Sequence, residues 1–236
     1  MEKASNCLII IPAYNEEETI KEVVLGAKKY ADVCVIDDGS SDSTSVILKD
    51  IKGIHVIYHR KNTHIPGCLW DGMRYAIEQH YDYAICMDAG LSHYPDEIPL
   101  FINHNKADLV MGYRKKKCNA PLYRRALSKI GNVIYNICLD FPRSMFRRYY
   151  KDITSGFRRY SNKAMKLLLS KRIESKSFDI MVESAYHIYK NKLTISEVPI
   201  TYRFSNSSLH INVIRDCIKM CFRIVTHSGD GSGKGT

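Results

Sequence analysis

The sequence predicts an α/β domain built on a mostly parallel sheet flanked by helices, and three observations carry that reading. In the first half, short apolar runs alternate with stretches of helical period, the mark of successive βα units. Turn-forming residues gather where those runs end, in "PAYNEEE", "DDGSSDST" and "DAGLSHYP". A length of 236 residues suits one core-bearing unit with accessories.

Strands are expected at Cys7–Ile11, Val33–Ile36, Ile54–Tyr58, Tyr83–Met87 and Leu109–Tyr113, each a short apolar run bounded by turn signals. Helices fall between them at Glu17–Tyr30, Ser43–Asp50, Cys68–His80 and Glu97–Asn105. After the fifth strand, a loop "RKKKCNAP" leads to a helix over Leu122–Leu139. Its apolar stripe is Leu122, Ala126, Leu127, Ile130, Val133, Ile134 and Ile137, with Arg124, Arg125 and Lys129 crowding one end. Then come "SGFRRYS", helices at Asn162–Lys171 and Phe178–Asn191, an edge strand in "LTISEVPITYR", and a last helix near Ile211–Val225. The chain divides into a domain over 1–205 that includes a basic segment 113–176, a C-terminal helix 206–226, and a flexible tail 227–236. The tail's "GSGKGT" lacks the spacing of a phosphate-binding P-loop, and no helix follows it.

No run approaches the ~20 apolar residues that span a bilayer. The opening "MEKASNCLIIIP" has too short an apolar stretch, and too early a proline, for a secretory signal. A cytoplasmic placement is expected, free or held to a membrane surface. Eight cysteines without a CxxC pair or Cys/His ligand spacing read as free thiols of a reducing compartment. The net charge of +10 is uneven: 113–176 holds 18 Lys and Arg against 3 Asp and Glu, a local excess of 15. Such a block suits a solvated surface, a nucleic acid, an anionic membrane or a phosphorylated substrate. No RNP-like run, zinc finger or helix-turn-helix signature speaks for nucleic acid, which leaves phosphate or membrane.

Three loops carry candidate chemistry. "VCVIDDGSSDST" places Asp37 and Asp38 at a strand tip. They could accept hydrogen bonds from a ribose or base, or they could form an acidic, capped βα turn. "IIIPAYNEEETI" adds a proline stop, an aromatic able to stack on a base, and a carboxylate run opening a helix. "CMDAGLSHYP" ends a strand in Asp88, where an α/β enzyme would hold a cation, yet Gly90 stands where a second carboxylate would complete the pair. No GxGxxG follows a strand, which argues against a dinucleotide oxidoreductase.

These stretches resemble the family 2 glycosyltransferases of the GT-A fold, in particular the polyprenyl-phosphate hexose synthases of the dolichol-phosphate mannose synthase type. The resemblance runs from about Cys7 to Val225, through "IPAYNEEETI", "VIDDGSSDST", "KNTHIPGCLWDGMRYAI", "MDAGLSHYPDEIP", "DITSGFRRYSNKAM" and "ISEVPITYR" in family order. It implies that Pro12, Tyr14 and Glu16 line the nucleoside pocket, that Asp38 with Asp37 beside it holds the base or ribose, and that Asp88 approaches the donor diphosphate through Mg²⁺ or Mn²⁺. It implies that Arg114, Arg125 and Ser128, with Arg143 near them, bind the acceptor phosphate, and that Arg158 and Arg203 contact the donor diphosphate or the acceptor. The chain departs from the family at Gly90, where a second Asp is usual, with Ser92 two positions on, and at "SNSSL", which lacks a lysine.

The implied activity is inverting transfer of a hexose, with mannose from GDP-mannose first in line, to a polyprenyl or dolichyl phosphate at the cytoplasmic membrane face. Peripheral membrane association, compatibility with a membrane-anchoring partner subunit, and no nucleic acid go with it. The helix over Leu122–Leu139 either lies among lipid headgroups or packs on the sheet. A UDP-glucose type of donor, a protein or polysaccharide acceptor, and a non-catalytic subunit binding a nucleotide sugar or lipid phosphate stay open. A lipid monophosphate carries roughly −1.5 to −2 charges at neutral pH and needs no general base. Mg²⁺ takes one or two carboxylates plus substrate phosphates, so Asp88 alone could serve.

Overall fold

The computed structural model describes residues 3–118, 130–137 and 150–203. Seven strands form one sheet: β1 (Ala4–Ala13), β2 (Ala31–Asp37), β3 (His55–Tyr58), β4 (Tyr83–Cys86), β5 (Leu109–Cys118), β6 (Arg158–Ser161) and β7 (Ile195–Arg203), in the order β3-β2-β1-β4-β6-β5-β7. The β1–β2, β2–β3, β1–β4 and β5–β7 pairs are parallel, and β6 runs antiparallel to both β4 and β5. This is the mostly parallel α/β sheet that the sequence predicts, with "LTISEVPITYR" at its edge.

The first strand lies inside the sheet and is buried on both faces, so its run Leu8–Ile11 is apolar without alternation. Leu8 and Ile10 enter one core with Leu69, Met73, Leu168 and Ile188. Those partners come from α3 (His64–Glu78), α6 (Asn162–Leu169) and α7 (Ile180–Lys190). Ile9 and Ile11 enter the core on the opposite face with Val23, Val24 and Phe101, from α1 (Ile20–Ala27) and α4 (Ile98–Ile102). Helix α2 (Thr44–Asp50) follows β2 as expected.

Three departures from expectation have a visible reason. Strand β5 continues past Tyr113 because β7 supplies partners out to Cys118↔Arg203. Helix α3 starts at His64, upstream of Cys68. Asp38 accepts the backbone N–H groups of Thr63 and His64 at 2.8 Å each, which satisfies donors that a helix start leaves orphaned. Strand β6 was not foreseen in "SGFRRYS", because two arginines in four residues look like surface. Both are buried, and backbone carbonyls accept from both: Arg158 Nη1 donates to Met181 O at 2.7 Å, and Arg159 Nη1 to Phe101 O at 2.7 Å.

Only residues 130–137 of the helix over Leu122–Leu139 are described; they form α5. Its inner side buries Tyr135 in the core beside two asparagines. Asn136 Oδ1 accepts the N–H of Tyr150 at 2.7 Å and Asn132 Oδ1 that of Ile153 at 2.9 Å, pinning the returning chain. Ile130, Val133, Ile134 and Ile137 point outward, with exposures from 57% down to 38%. The expected helix near Ile211–Val225, the 206–226 segment and the 227–236 tail lie outside the described residues. Among the described residues no helix is long and apolar enough to cross a membrane. The described cysteines Cys7, Cys34, Cys68, Cys86 and Cys118 are free, as expected, and burial pushes the Cys7 thiol up to about 12.

Candidate active site

The strand register brings three loops to one edge. Ala13 pairs with Asp37 and Ile10 with Cys86, so β1, β2 and β4 end together, the usual position for ligands in such sheets. Two bonds carry the alignment past the strands: Asp38 N–H donates to Ala13 O at 2.8 Å, and Met87 N–H to Ile10 O at 3.1 Å. The cleft they frame holds about 820 Å³. Pro12, Tyr14, Glu16, Asp38, Asp88 and Arg203 line it, together with Asn62, His64, Cys68, Gly90, Ser92, Gly156, Phe178 and Tyr202.

In the first loop, Asn15 adopts a left-handed backbone (φ 55°), which asparagine tolerates better than most residues, and so turns the chain sharply. Its side-chain oxygen accepts the Ser41 N–H at 2.8 Å, tying the first loop to the second. Glu16 is anchored by its N–H to Thr44 Oγ1 at 2.8 Å, and its half-buried carboxylate turns into the cleft, where Thr19 Oγ1 donates to Oε2 at 2.9 Å. Burial raises the Glu16 pKa, and the charges of Asp88 and Asp42 add to that against the Thr19 hydrogen bond. Tyr14 stands at the rim, 48% exposed, with ring surface free to stack.

The second loop resolves the alternatives left open for the two aspartates. Asp37 is a turn cap. It is buried, lies outside the cleft lining, and accepts the Ser40 N–H at 3.0 Å and the Ser45 hydroxyl. Asp38 lines the cleft, but its carboxylate is occupied. Oδ1 meets Thr63 N–H and Thr63 Oγ1 at 2.8 Å and His59 Nδ1 at 2.7 Å, and Oδ2 accepts His64 N–H at 2.8 Å. Burial acts to raise its pKa, and the His59 and Thr63 donors outweigh burial to lower it. Asp38 therefore builds the 59–64 wall of the cleft. Gly39 (φ 76°) permits the approach of that wall, since a Cβ there would lie 3.2 Å from the Lys61 carbonyl carbon.

Asp38, His59 and Cys68 also bring potential ligand atoms within 4.8 Å of one another. The Asp38 carboxylate there is already engaged by His59, Thr63 and His64, and burial raises the Cys68 thiol pKa.

In the third loop, Asp88 follows the end of β4 with its side chain 39% exposed toward the cleft. Its N–H donates to Nδ1 of His93 at 3.2 Å, which leaves the imidazole proton on Nε2. His93 is buried and stacks on Phe157 at 4.9 Å; burial lowers its pKa against the opposing pull of Asp88. Gly156 keeps the space beside Asp88 open, because a Cβ there would come within 3.3 Å of Oδ1. At Gly90 a Cβ would meet only Glu16, with Oε2 at 3.7 Å and Oε1 at 3.9 Å.

Arg114 and Arg158, expected as phosphate contacts, both lie outside the cleft lining. Arg114 clamps Asp152 through Nε (2.6 Å) and Nη2 (2.7 Å), bonds Thr154, and lies 5.2 Å from the centre of the Tyr202 ring. It does not line the cleft, and its charge is spent on a carboxylate. Arg158 is fully buried and donates to the Ser155, Met181 and Ile153 carbonyls. Arg203 does line the cleft, placed by its N–H on Ser92 O at 3.0 Å. Arg125, Ser128, Arg143 and the "SNSSL" run lie outside the described residues.

Sequence reasoning gave no role to His93, Tyr202, Asp152, Gly156 or the 62–65 wall. All sit within quoted motifs, yet nothing local marks them, because partners as far as 110 residues away along the chain give them their place.

An acidic cleft at the carboxyl edge of a mostly parallel sheet, walled by the loops after β1, β2 and β4, defines an α/β enzyme with a built ligand site. Residues 8–167 match the family model described as glycosyl transferase family 2, and the chain belongs to that family; it is a glycosyltransferase. A Methanococcus voltae protein named UDP-N-acetylglucosamine–dolichyl-phosphate N-acetylglucosaminyltransferase is 32% identical over 227 residues, spanning 85% of this chain and 87% of its own. A Micrococcus luteus protein named undecaprenyl-phosphate mannosyltransferase is 32% identical over 208 residues, spanning 83% of this chain and 82% of its own. Glucosyl-3-phosphoglycerate synthase of Mycobacterium tuberculosis, solved with Mn²⁺, UDP and glucosyl-3-phosphoglycerate, shares the fold. It has a TM-score of 0.68 at 15% identity and covers 98% of this chain and 83% of that one.

Proposed function

We propose that the chain transfers a hexose, with inversion, from a nucleoside-diphosphate sugar to a polyprenyl or dolichyl phosphate at the cytoplasmic face of a membrane, with GDP-mannose as donor. The observation that carries this reading is Asp88, exposed at the end of β4 to a cleft that Tyr14, Asn62, His64 and Ile65 also line. The names of relatives covering most of this chain supply the acceptor class, and the Micrococcus luteus protein favours mannose. The Methanococcus voltae relative favours a second reading of the same site, with a UDP-linked N-acetylhexosamine as donor.

In the proposed reaction an oxygen of the lipid phosphate attacks the anomeric carbon from the side opposite the leaving group. The bond from that carbon to the diphosphate oxygen breaks, and the nucleoside diphosphate departs with the electron pair. A phosphate nucleophile is already ionised, so the chain's residues need to align and neutralise, not to remove a proton. Tyr14 and Pro12 would stack and bound the base, the wall held by Asp38 would enclose it, and Arg203 would meet phosphate oxygens. Mg²⁺ or Mn²⁺ held at Asp88 would supply positive charge to the leaving diphosphate; the hard oxygen donor and the room left by Gly156 fit such an ion. Arg125 and Ser128 keep the acceptor-phosphate role that the family resemblance implies.

Peripheral membrane placement rests on α5, whose outward Ile and Val side chains follow a cationic stretch. The test is sugar transfer from radiolabelled GDP-mannose, and in parallel UDP-N-acetylglucosamine and UDP-glucose, to detergent-dispersed polyprenyl phosphate with Mg²⁺, Mn²⁺ or chelator. Metal-dependent labelling of the lipid from GDP-mannose is expected, with turnover reduced at least 100-fold in Asp88→Asn. Labelling from a UDP-sugar alone would replace the donor, and none from any donor would overturn the reaction.

A further inference from the structure

We infer that Glu16 supplies the second carboxylate of the cation site, in place of the side chain that Gly90 lacks. The inference rests on the reading that Asp88 carries a divalent cation for the donor diphosphate, and it concerns which other residue shares that task.

Four observations converge on Glu16. Both carboxylate oxygens of Glu16 border the space a side chain at position 90 would enter, 3.7 and 3.9 Å from the β-carbon Gly90 would carry. No other atom crowds that point within 4 Å, so the gap opened by the glycine is bordered by Glu16 alone among the described residues. One oxygen of Glu16 accepts from Thr19, while among the described residues the other accepts no hydrogen bond, which leaves a free lone-pair face toward the cleft. Finally, Glu16 and Asp88 line the same cleft, and two carboxylates held in one half-buried space are favoured when a cation lies between them.

The placement is also rigid, as a ligand should be. Glu16 is fixed by the left-handed turn at Asn15 and by its N–H on Thr44, and Asp88 by its N–H on His93. The two acids therefore come from different loops, held in register by β1 and β4. Oxygen-only ligation by two carboxylates, completed by diphosphate oxygens and water, matches the demands of Mg²⁺ and Mn²⁺. An aspartate introduced at position 90 would bring its carboxylate to the same space from the other side.

The experiment titrates Mn²⁺ into the full chain with saturating GDP, read by loss of the free-ion EPR signal, and separately measures GDP affinity in chelator. Glu16→Gln is expected to weaken Mn²⁺ binding about 10- to 100-fold, as loss of groups at a metal site typically does. GDP affinity in chelator should fall by a smaller factor than Mn²⁺ affinity does, and Gly90→Asp in the Glu16→Gln background should restore most of the Mn²⁺ affinity. Mn²⁺ affinity unchanged in Glu16→Gln but lost in Asp88→Asn would overturn the role of Glu16 while leaving the cation at Asp88. Equal loss of GDP with and without metal would make Glu16 a nucleoside contact instead. Mn²⁺ affinity indifferent to Asp88→Asn would remove the cation from this cleft, and both readings with it.

Discussion

Asp38→Asn tests whether the second loop is held together by one buried carboxylate. Three donors converge on Oδ1 and one on Oδ2. Asparagine keeps one acceptor oxygen, so its amide nitrogen must face a donor, and the least damaging orientation sets it against the His64 N–H, which retains Asn62 Oδ1 at 2.9 Å. One charge-assisted bond worth about 1.5–3 kcal/mol is then lost, and the other three fall to neutral strength. A net cost of about 3 kcal/mol is reasonable, which for a chain of this size lowers Tm by roughly 6–12 °C. Calorimetric or fluorescence-monitored melting of the two proteins at neutral pH measures it. The wild-type contribution carries a sign in pH: the Asp38 pKa is below its unfolded value of 3.8, so its stabilisation is complete above 3.8 and fades as pH falls through the folded pKa. The Tm gap between wild type and variant should therefore narrow in acid. A Tm within roughly 2 °C of wild type at neutral pH would refute the reasoning, because it would mean that water or relaxed loop geometry replaces the carboxylate without loss.

Arg114→Met should destabilise by about 3–5 kcal/mol in urea titrations, because it leaves Asp152 charged and buried, whereas Arg114→Met with Asp152→Leu should recover most of that loss. A double variant as unstable as the single would show that the pair's geometry, not its charge balance, matters. Val133→Glu with Ile137→Glu on α5 should shift stability by under about 0.5 kcal/mol per site while cutting cosedimentation with anionic liposomes several-fold; a collapse of Tm would show the face to be packed. His93 is held below its unfolded pKa of 6.5 by burial, so the unfolded chain takes up the proton first and stability falls as pH drops from 6.5 through the folded value. His93→Asn, which offers an acceptor to Asp88 N–H without titrating, should flatten that slope in pH-dependent melting, leaving the smaller set of groups such as His104, whose pKa burial also lowers.

Much of the fold was legible because its information is local. The runs at Cys7–Ile11 and Val33–Ile36 are apolar on every residue, as strands buried on both faces must be, and each ends in the turn residues that start the next helix. The cleft was legible for the same reason, since the ends of those strands are its floor. What escaped was whatever depends on contact between distant segments. Arg158 and Arg159 carry charges that sequence logic assigns to solvent or phosphate; only the fold shows carbonyls of Ile153, Met181 and Phe101 waiting for them. Arg114 was placed in the right part of the molecule, but Asp152, which consumes its charge, lies 38 residues away. The stripe on α5 was seen correctly as a stripe, yet its direction could not be, because the inward face is chosen by Asn132 and Asn136 gripping 150–153.

A cation site divided between two loops has a mechanical consequence that a pair of acids on one loop would not have. Affinity at Asp88 and Glu16 depends on where the first loop sits, and the first loop is tied to the second through Asn15 and Ser41. The second loop in turn carries Asp38 and the wall facing the proposed nucleoside. Metal affinity and nucleotide enclosure should then be linked through Asn15. Asn15→Gly keeps the left-handed backbone and loses only the side-chain tie to Ser41, since the N–H groups of residues 15, 16 and 17 still reach Ser40, Thr44 and Asp42, whereas Asn15→Ala also imposes a left-handed conformation that costs a residue with a β-carbon about 1–2 kcal/mol. Both variants should weaken Mn²⁺ binding in the presence of GDP, with alanine the worse, and the gain in Mn²⁺ affinity that GDP confers on wild type should shrink in each. If Asn15→Gly binds Mn²⁺ as wild type does while Glu16→Gln does not, the carboxylate finds its position without the neighbouring loop, and the coupling between the two loops is absent.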